Sequence, residues 1–148
     1  MMNDPVKARG YLTFELTSPD GVKHFHTENM VVNAGLARIA QRLAGSANAM
    51  SHMAVGTGTT AAAAGQTTLT TENGRVALTS TTVVTTTVTN DSVEYVASFA
   101  AGTGTGAITE AGLFDAASSG TMLARSVFSA INKGASDSLT ITWKVVMA

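Results

Sequence analysis

Cysteine is absent from the 148-residue chain. That removes both a disulfide framework and a thiolate metal site. Charge is scarce: Asp, Glu, Lys and Arg make up 13% of residues, about half the usual share. Nine basic residues stand against ten acidic ones, for a net charge of −1. Nucleic acids and anionic membranes select clustered Lys and Arg, so neither is an expected partner. Aromatic residues are only 5% of the chain. Sugar sites usually present exposed rings, and Phe14, Phe99 and Trp143 all fall on faces that read as inward; only Tyr11 reads as exposed. A host-glycan-binding β-sandwich is therefore a secondary reading. No run approaches ~18 consecutive apolar residues, so no membrane helix is expected. The opening Met1-Met2-Asn3-Asp4-Pro5 has no apolar stretch of the kind a secretory leader needs.

What the chain does have is Thr, Val, Ala and Gly in alternating order. Leu12, Phe14 and Leu16 alternate with Thr13, Glu15 and Thr17, as a half-buried strand requires. Ser18-Pro19-Asp20-Gly21 is a hairpin turn, with a returning strand to about Val32. The period then changes. Asn33 is placed to cap a short α-helix near residues 34–44, with Leu36, Ile39, Ala40 and Leu43 on its apolar face and Gly45 at its end. Strand signals resume at 53–55, and residues 59–71 read as a small-residue loop. The β-branched run from Arg75 to Thr89 reads as one long strand. Residues 93–99 carry Tyr95 and Phe99 inward, 108–114 end on Phe114, and 122–128 follow a turn. The last strand points Leu139, Ile141, Trp143 and Val145 inward. About seven or eight strands and one helix predict an all-β fold, a mainly antiparallel β-sandwich or jelly-roll-like barrel. An N-terminal arm, residues 1–9, precedes a single domain over 10–148.

Candidate chemistry is thin. Gly56-Thr57-Gly58-Thr59-Thr60-Ala61 fits the loosest dinucleotide pattern, but no amphipathic helix follows to hold a phosphate. His24 and His26 share one strand face, with Glu28 two residues further on; two imidazoles so placed are the only weak candidates for a metal site. No hydroxyl stands in a Gly-x-Ser-x-Gly elbow, and the carboxylates are scattered. Neither a catalytic residue nor a cofactor is expected. Glu110 and Arg125 lie in otherwise apolar strands; if those strands pair, the two form a partly buried ion pair that sets register. Glu72 and Arg75 are placed to do the same locally.

The order of segments is informative. It runs from Val32-Asn33-Ala34-Gly35-Leu36 through Ala54-Val55-Gly56-Thr57-Gly58-Thr59-Thr60 to Glu72 and Arg75. Phe99 with a Gly-Thr loop, Ile108-Thr109-Glu110-Ala111-Gly112-Leu113-Phe114, and the closing Leu139 to Trp143 strand complete it. Over roughly residues 10–146 this resembles a family of small tailed-bacteriophage virion proteins labelled tail-fibre-like, collar or minor structural proteins. The resemblance implies a virion component, assembled in the host bacterial cytoplasm. Its expected partners are copies of itself and either the major capsid protein or tail and neck proteins. The chain has no heptad, collagen-like or β-helical repeat, so it builds no stalk. That favours a capsid decoration (cement) protein over a tail, collar or fibre-base module. The expected contact regions are residues 1–10 and the loop 59–71, both free to mould to a partner.

Overall fold

The computed structural model describes residues 7–147. Nine strands and one helix follow in the order β1 (Arg9–Ser18), β2 (Gly21–Val31), α1 (Asn33–Leu43), β3 (His52–Gly56), β4 (Glu72–Ala77), β5 (Ser80–Val84), β6 (Ser92–Phe99), β7 (Gly106–Phe114), β8 (Met122–Lys133) and β9 (Ser138–Val146). All pairings are antiparallel. They form one curled sheet, a half-barrel, in the order β4-β3-β7-β8-β2-β1-β9-β6-β5. The all-β expectation holds. The residues of the expected arm up to 6 lie outside the described residues, and Arg9, expected in the arm, already pairs with Val146 as strand.

The sheet folds over at one narrow joint. β2 meets β8 only through Met30–Arg125 and Val31–Ala124. On one side of that joint lie β1, β9, β6 and β5 beside β2; on the other lie β8, β7, β3 and β4. Their inner faces share a core. Leu12, Phe14, Tyr95, Phe99, Ile141 and Trp143 come from the first half, and Met53, Val55, Ile108, Leu113 and Ile131 from the second. In β1, β6 and β9 period-2 alternation is the cause, each of these strands having one apolar face to bury. β7 departs from it. A register shift between Ile108 and Glu110 changes the alternation, and every residue from Ile108 to Phe114 is buried. Its second face lies under the 57–71 segment, over a smaller core of Val32, Ala54, Leu69, Phe114 and Met122.

Two local expectations are corrected. The Val/Thr run is not one strand. It breaks at Leu78 and Thr79, and after Val84 the Asp91 carboxylate accepts the backbone N–H groups of Thr86, Thr87 and Val88. Those bonds hold the backbone in a turn despite its β-branched side chains. The hydrogen bonds from Val88, and then those from Ser92, Thr86 and Thr87, hold the Asp91 carboxyl far below the usual carboxylate range, against the opposing effect of desolvation.

The second correction concerns the helix. Leu36 is 51% exposed and Leu43 86%, so neither is core. Ala40 is exposed as well, so of the four expected residues only Ile39 packs against the core, and it is half-buried. The seated face is Ala34, Gly35, Arg38 and Ile39, displaced one residue from the leucine stripe. Gly35 sets this: a Cβ there would lie 2.0 Å from the Leu123 carbonyl oxygen, so only glycine permits this approach. Asn33 does not cap the helix with its side chain. Val32 occupies the cap position, and the Asn33 N–H donates to the Ala64 carbonyl at 2.8 Å. Gly45, at φ +72°, ends the helix as expected.

Candidate functional site

The densest polar constellation is built on the second face of β7. Glu110 and Arg125 are both 0% exposed and meet at 2.7 Å. They are diagonal neighbours, because Arg125 stands opposite Gly112 and Glu110 opposite Val127. The expected pair is therefore present, and buried completely rather than partly. Glu110 Oε1 accepts the N–H groups of Gly58 (3.1 Å) and Thr71 (2.7 Å), and Oε2 accepts that of Thr70 (2.9 Å). Every guanidinium N–H group of Arg125 is used. Nε and Nη2 donate to Glu110 Oε2, Nη2 also to Thr70 Oγ1, and Nη1 to the Thr60 carbonyl and Gln66 Oε1.

A buried charge pair persists only when its remaining lone pairs and protons are satisfied. Here the backbone of the 58–71 segment satisfies them. Burial pushes the Glu110 carboxyl up. The Thr71 N–H, Arg125, and the Thr70 and Gly58 N–H groups outweigh it and hold the carboxyl below the ordinary glutamate range. Glu110 is thus an ionised acceptor with its lone pairs occupied, a poor arrangement for moving protons.

The glycines have a physical reason. A Cβ on either Gly56 or Gly58 would lie 2.6 Å from Glu110 Oε1. Gly112 faces Phe114, Leu69 and Met122, with a Cβ 2.9 Å from the Phe114 ring. The Gly-Thr-Gly segment is shaped around a carboxylate of its own chain. The stretches Val55 to Thr60 and Glu110 to Phe114 meet at this one place. The expectation of a freely moulding 59–71 loop is corrected: the clasp fixes it.

Glu72 and Arg75 also pair as expected, at 2.6 Å. Arg75 does more than the sequence indicates. It lies 3.7 Å above the centroid of the Phe114 ring and donates to the carbonyls of Ala116 and Ser119, tying β4 to the β7–β8 turn. Arg38 of α1 reaches Asp115 at 2.7 Å and bonds the Thr121 hydroxyl. Asp115 in turn accepts the Thr121 N–H. Lys133 is 2% exposed and donates to the Ala100 carbonyl at 2.9 Å. Burial lowers its pKa, partly offset by Asp137. Nothing local in the sequence marks Arg38 or Lys133, since both partners arrive from distant segments.

His24 and His26 stand on the exposed face of β2. His24 Nε2 lies 3.5 Å from Glu15 Oε2, and His26 Nδ1 faces the Thr13 hydroxyl at 3.4 Å. Among the described residues no three His, Asp or Glu side chains converge as a metal would need. An apolar groove of about 400 Å³ runs between α1 and β5, lined by Ile39, Leu43, Val83 and Tyr95 among others. Its lining includes Arg38 and Arg42 but no carboxylate and no histidine. Comparison with family models, with curated proteins and with solved structures found no match to this chain.

Proposed function

We propose that the chain is a non-enzymatic structural subunit of a tailed-bacteriophage virion. Its most specific role on this reading is that of a capsid decoration protein, packed against copies of itself and against the shell. The observation that carries the reading is the outer face of β2, β1, β9, β6 and β5. Register places Thr82, Glu94, Lys144, Tyr11 and Glu28 in one row across it. Ser80, Val96, Thr142, Thr13 and His26 form the next, and Ser98, Thr140, Glu15 and His24 a third.

Hydroxyls outnumber carboxylates and ammonium groups in the second and third rows, where Ser98 and Thr140 bond each other at 3.0 Å, while the first row carries Glu94, Lys144 and Glu28. The short hydroxyl-bearing side chains of those two rows, Ser80, Thr142, Thr13, Ser98 and Thr140, lie close against another protein with little rotamer entropy to lose. It also does little to keep copies apart. The Glu110–Arg125 clasp adds to this. It orders the 58–71 segment before any partner arrives, so contact there need not supply that ordering. The resemblance to small virion proteins points the same way, and repeated copies turn modest contacts into avidity.

The reading is tested on purified phage particles by quantitative peptide counting. The chain is expected in a fixed number of copies per particle, comparable to a symmetric shell or tail component. Recovery only from the soluble lysate, with none in washed particles, would overturn it.

A further inference from the structure

The curled sheet has two edges, β4 and β5, and they are treated differently. The β4 edge is covered and charged. Asn73 Nδ2 donates to the Thr105 carbonyl, Gly74 lies against Gly104, and Glu72 and Arg75 pair along the strand. β5 pairs with β6 in unbroken register, and among the described residues no strand lies along its other side. Its sequence is Ser80-Thr81-Thr82-Val83-Val84, with four of the five residues exposed. Protein edges are ordinarily blunted by lysine, proline or a bulge, and this one has none of them.

We propose that β5 is a self-pairing edge: the β5 strands of two copies join antiparallel about a two-fold axis at Thr82, so that two curled sheets become one. This rests on the structural-subunit reading above and names one of its interfaces. Three features favour a second copy as the occupant. An antiparallel pair is self-complementary, since residue i faces j and j faces i about the axis. Ser80 then faces Val84 of the second copy, Thr81 faces its Val83, and Thr82 faces Thr82. On the outer face the charges bordering the strand do not oppose this; in the groove Arg38 is paired with Asp115 and Arg42 is turned to the Ala47 carbonyl. The nearest in the Thr82 row is Glu94 on β6, and Lys144 stands beside it in the same row. Finally, Val83 is 59% exposed, and Thr81 and Val83 line the groove beneath α1. Pairing sets Val83 of the second copy beside Thr81, joining the two grooves across the axis and covering apolar surface that a lone copy leaves to water.

The absence of cysteine makes the test clean. Residues directly opposite in an antiparallel pair have Cα atoms ~4.5–5.5 Å apart, inside the ~4.4–6.8 Å that a disulfide spans. Thr82→Cys in the full chain is expected to give a covalent dimer under mild oxidation. Thr17→Cys, on the exposed face of β1, should not. Thr82→Lys sets two ammonium groups face to face and is expected to halve the mass found by light scattering, with the circular dichroism spectrum unchanged. A wild-type oligomer that survives Thr82→Lys, with no cross-link formed by Thr82→Cys, overturns the β5 pairing and leaves the structural-subunit reading standing. A wild-type monomer that still coats stripped particles through an intact β5, and loses them with Thr82→Lys, also overturns it, because the edge then takes another protein. A monomer that binds no particles overturns both.

Discussion

Replacing Glu110 by Gln is expected to destabilise the fold by about 3–5 kcal/mol, because it leaves the Arg125 cation buried without its partner. For a chain of this length that corresponds to a fall in Tm of roughly 10 °C or more. The usual remedy for a buried ion pair, replacing both members by apolar residues, is expected to fail here. Glu110→Leu with Arg125→Met leaves the N–H groups of Gly58, Thr70 and Thr71 and the Thr60 carbonyl without partners. The buried Gly58 N–H costs about 1–3 kcal/mol as an orphan, and the part-buried groups of Thr60, Thr70 and Thr71 cost less each. Denaturant unfolding of the two single variants and the double variant measures this. A double variant as stable as wild type would mean that the loop does not depend on the clasp.

The same residue predicts a pH dependence. The folded pKa of Glu110 lies below its unfolded value, about 4.3 for a free glutamate. Its contribution is therefore complete above that pH and is lost as pH falls through the lower, folded value. Wild type should lose stability on acidification more steeply than Glu110→Gln. Asp91 shifts in the same direction and is unchanged in the variant, so the slope should shrink without vanishing. Urea midpoints across an acid series give the comparison, and equal slopes would contradict an ionised, hydrogen-bonded Glu110.

Trp143→Ala carries the second large effect, about 3–5 kcal/mol. Trp143 is 0% exposed, between Leu12 of β1 and Tyr95 of β6, so its loss opens a cavity shared by three strands. Its indole N–H donates to Asn29 Oδ1 at 3.2 Å. The Asn29 side chain lies over Gly10, in the space a Cβ would take. Trp143→Phe should keep most of the packing and lose this bond, at about 1 kcal/mol. Thermal unfolding separates the two variants; equal losses would mean that the hydrogen bond, not the ring's volume, dominates.

β1 and β9 are legible in the sequence because each buries one face. Leu12-Phe14-Leu16 and Leu139-Ile141-Trp143 alternate without interruption, and the core follows from them. The helix is legible as a helix but not in its orientation. Its leucines mark the apolar stripe, yet Gly35 and Arg38 decide the seat, through a backbone approach to Leu123 and an ion pair with Asp115. Neither partner is near in sequence. Glu110 and Arg125 stand out as charges in apolar strands, and the hairpin between them places them together. The loop they hold does not stand out, because it is held through backbone N–H and C=O groups that carry no side-chain signature. The turn after β5 is hidden for a similar reason: Asp91 captures three backbone N–H groups whose own side chains favour strands.

The central claim, that this fold exists to be packed into a particle, is tested most directly by rebinding. Particles stripped of the protein are titrated with the purified full chain, and bound copies are counted after sedimentation. The account predicts saturation at a fixed stoichiometry of many copies per particle. Failure to bind at any ratio, or binding that climbs without a plateau, would contradict it.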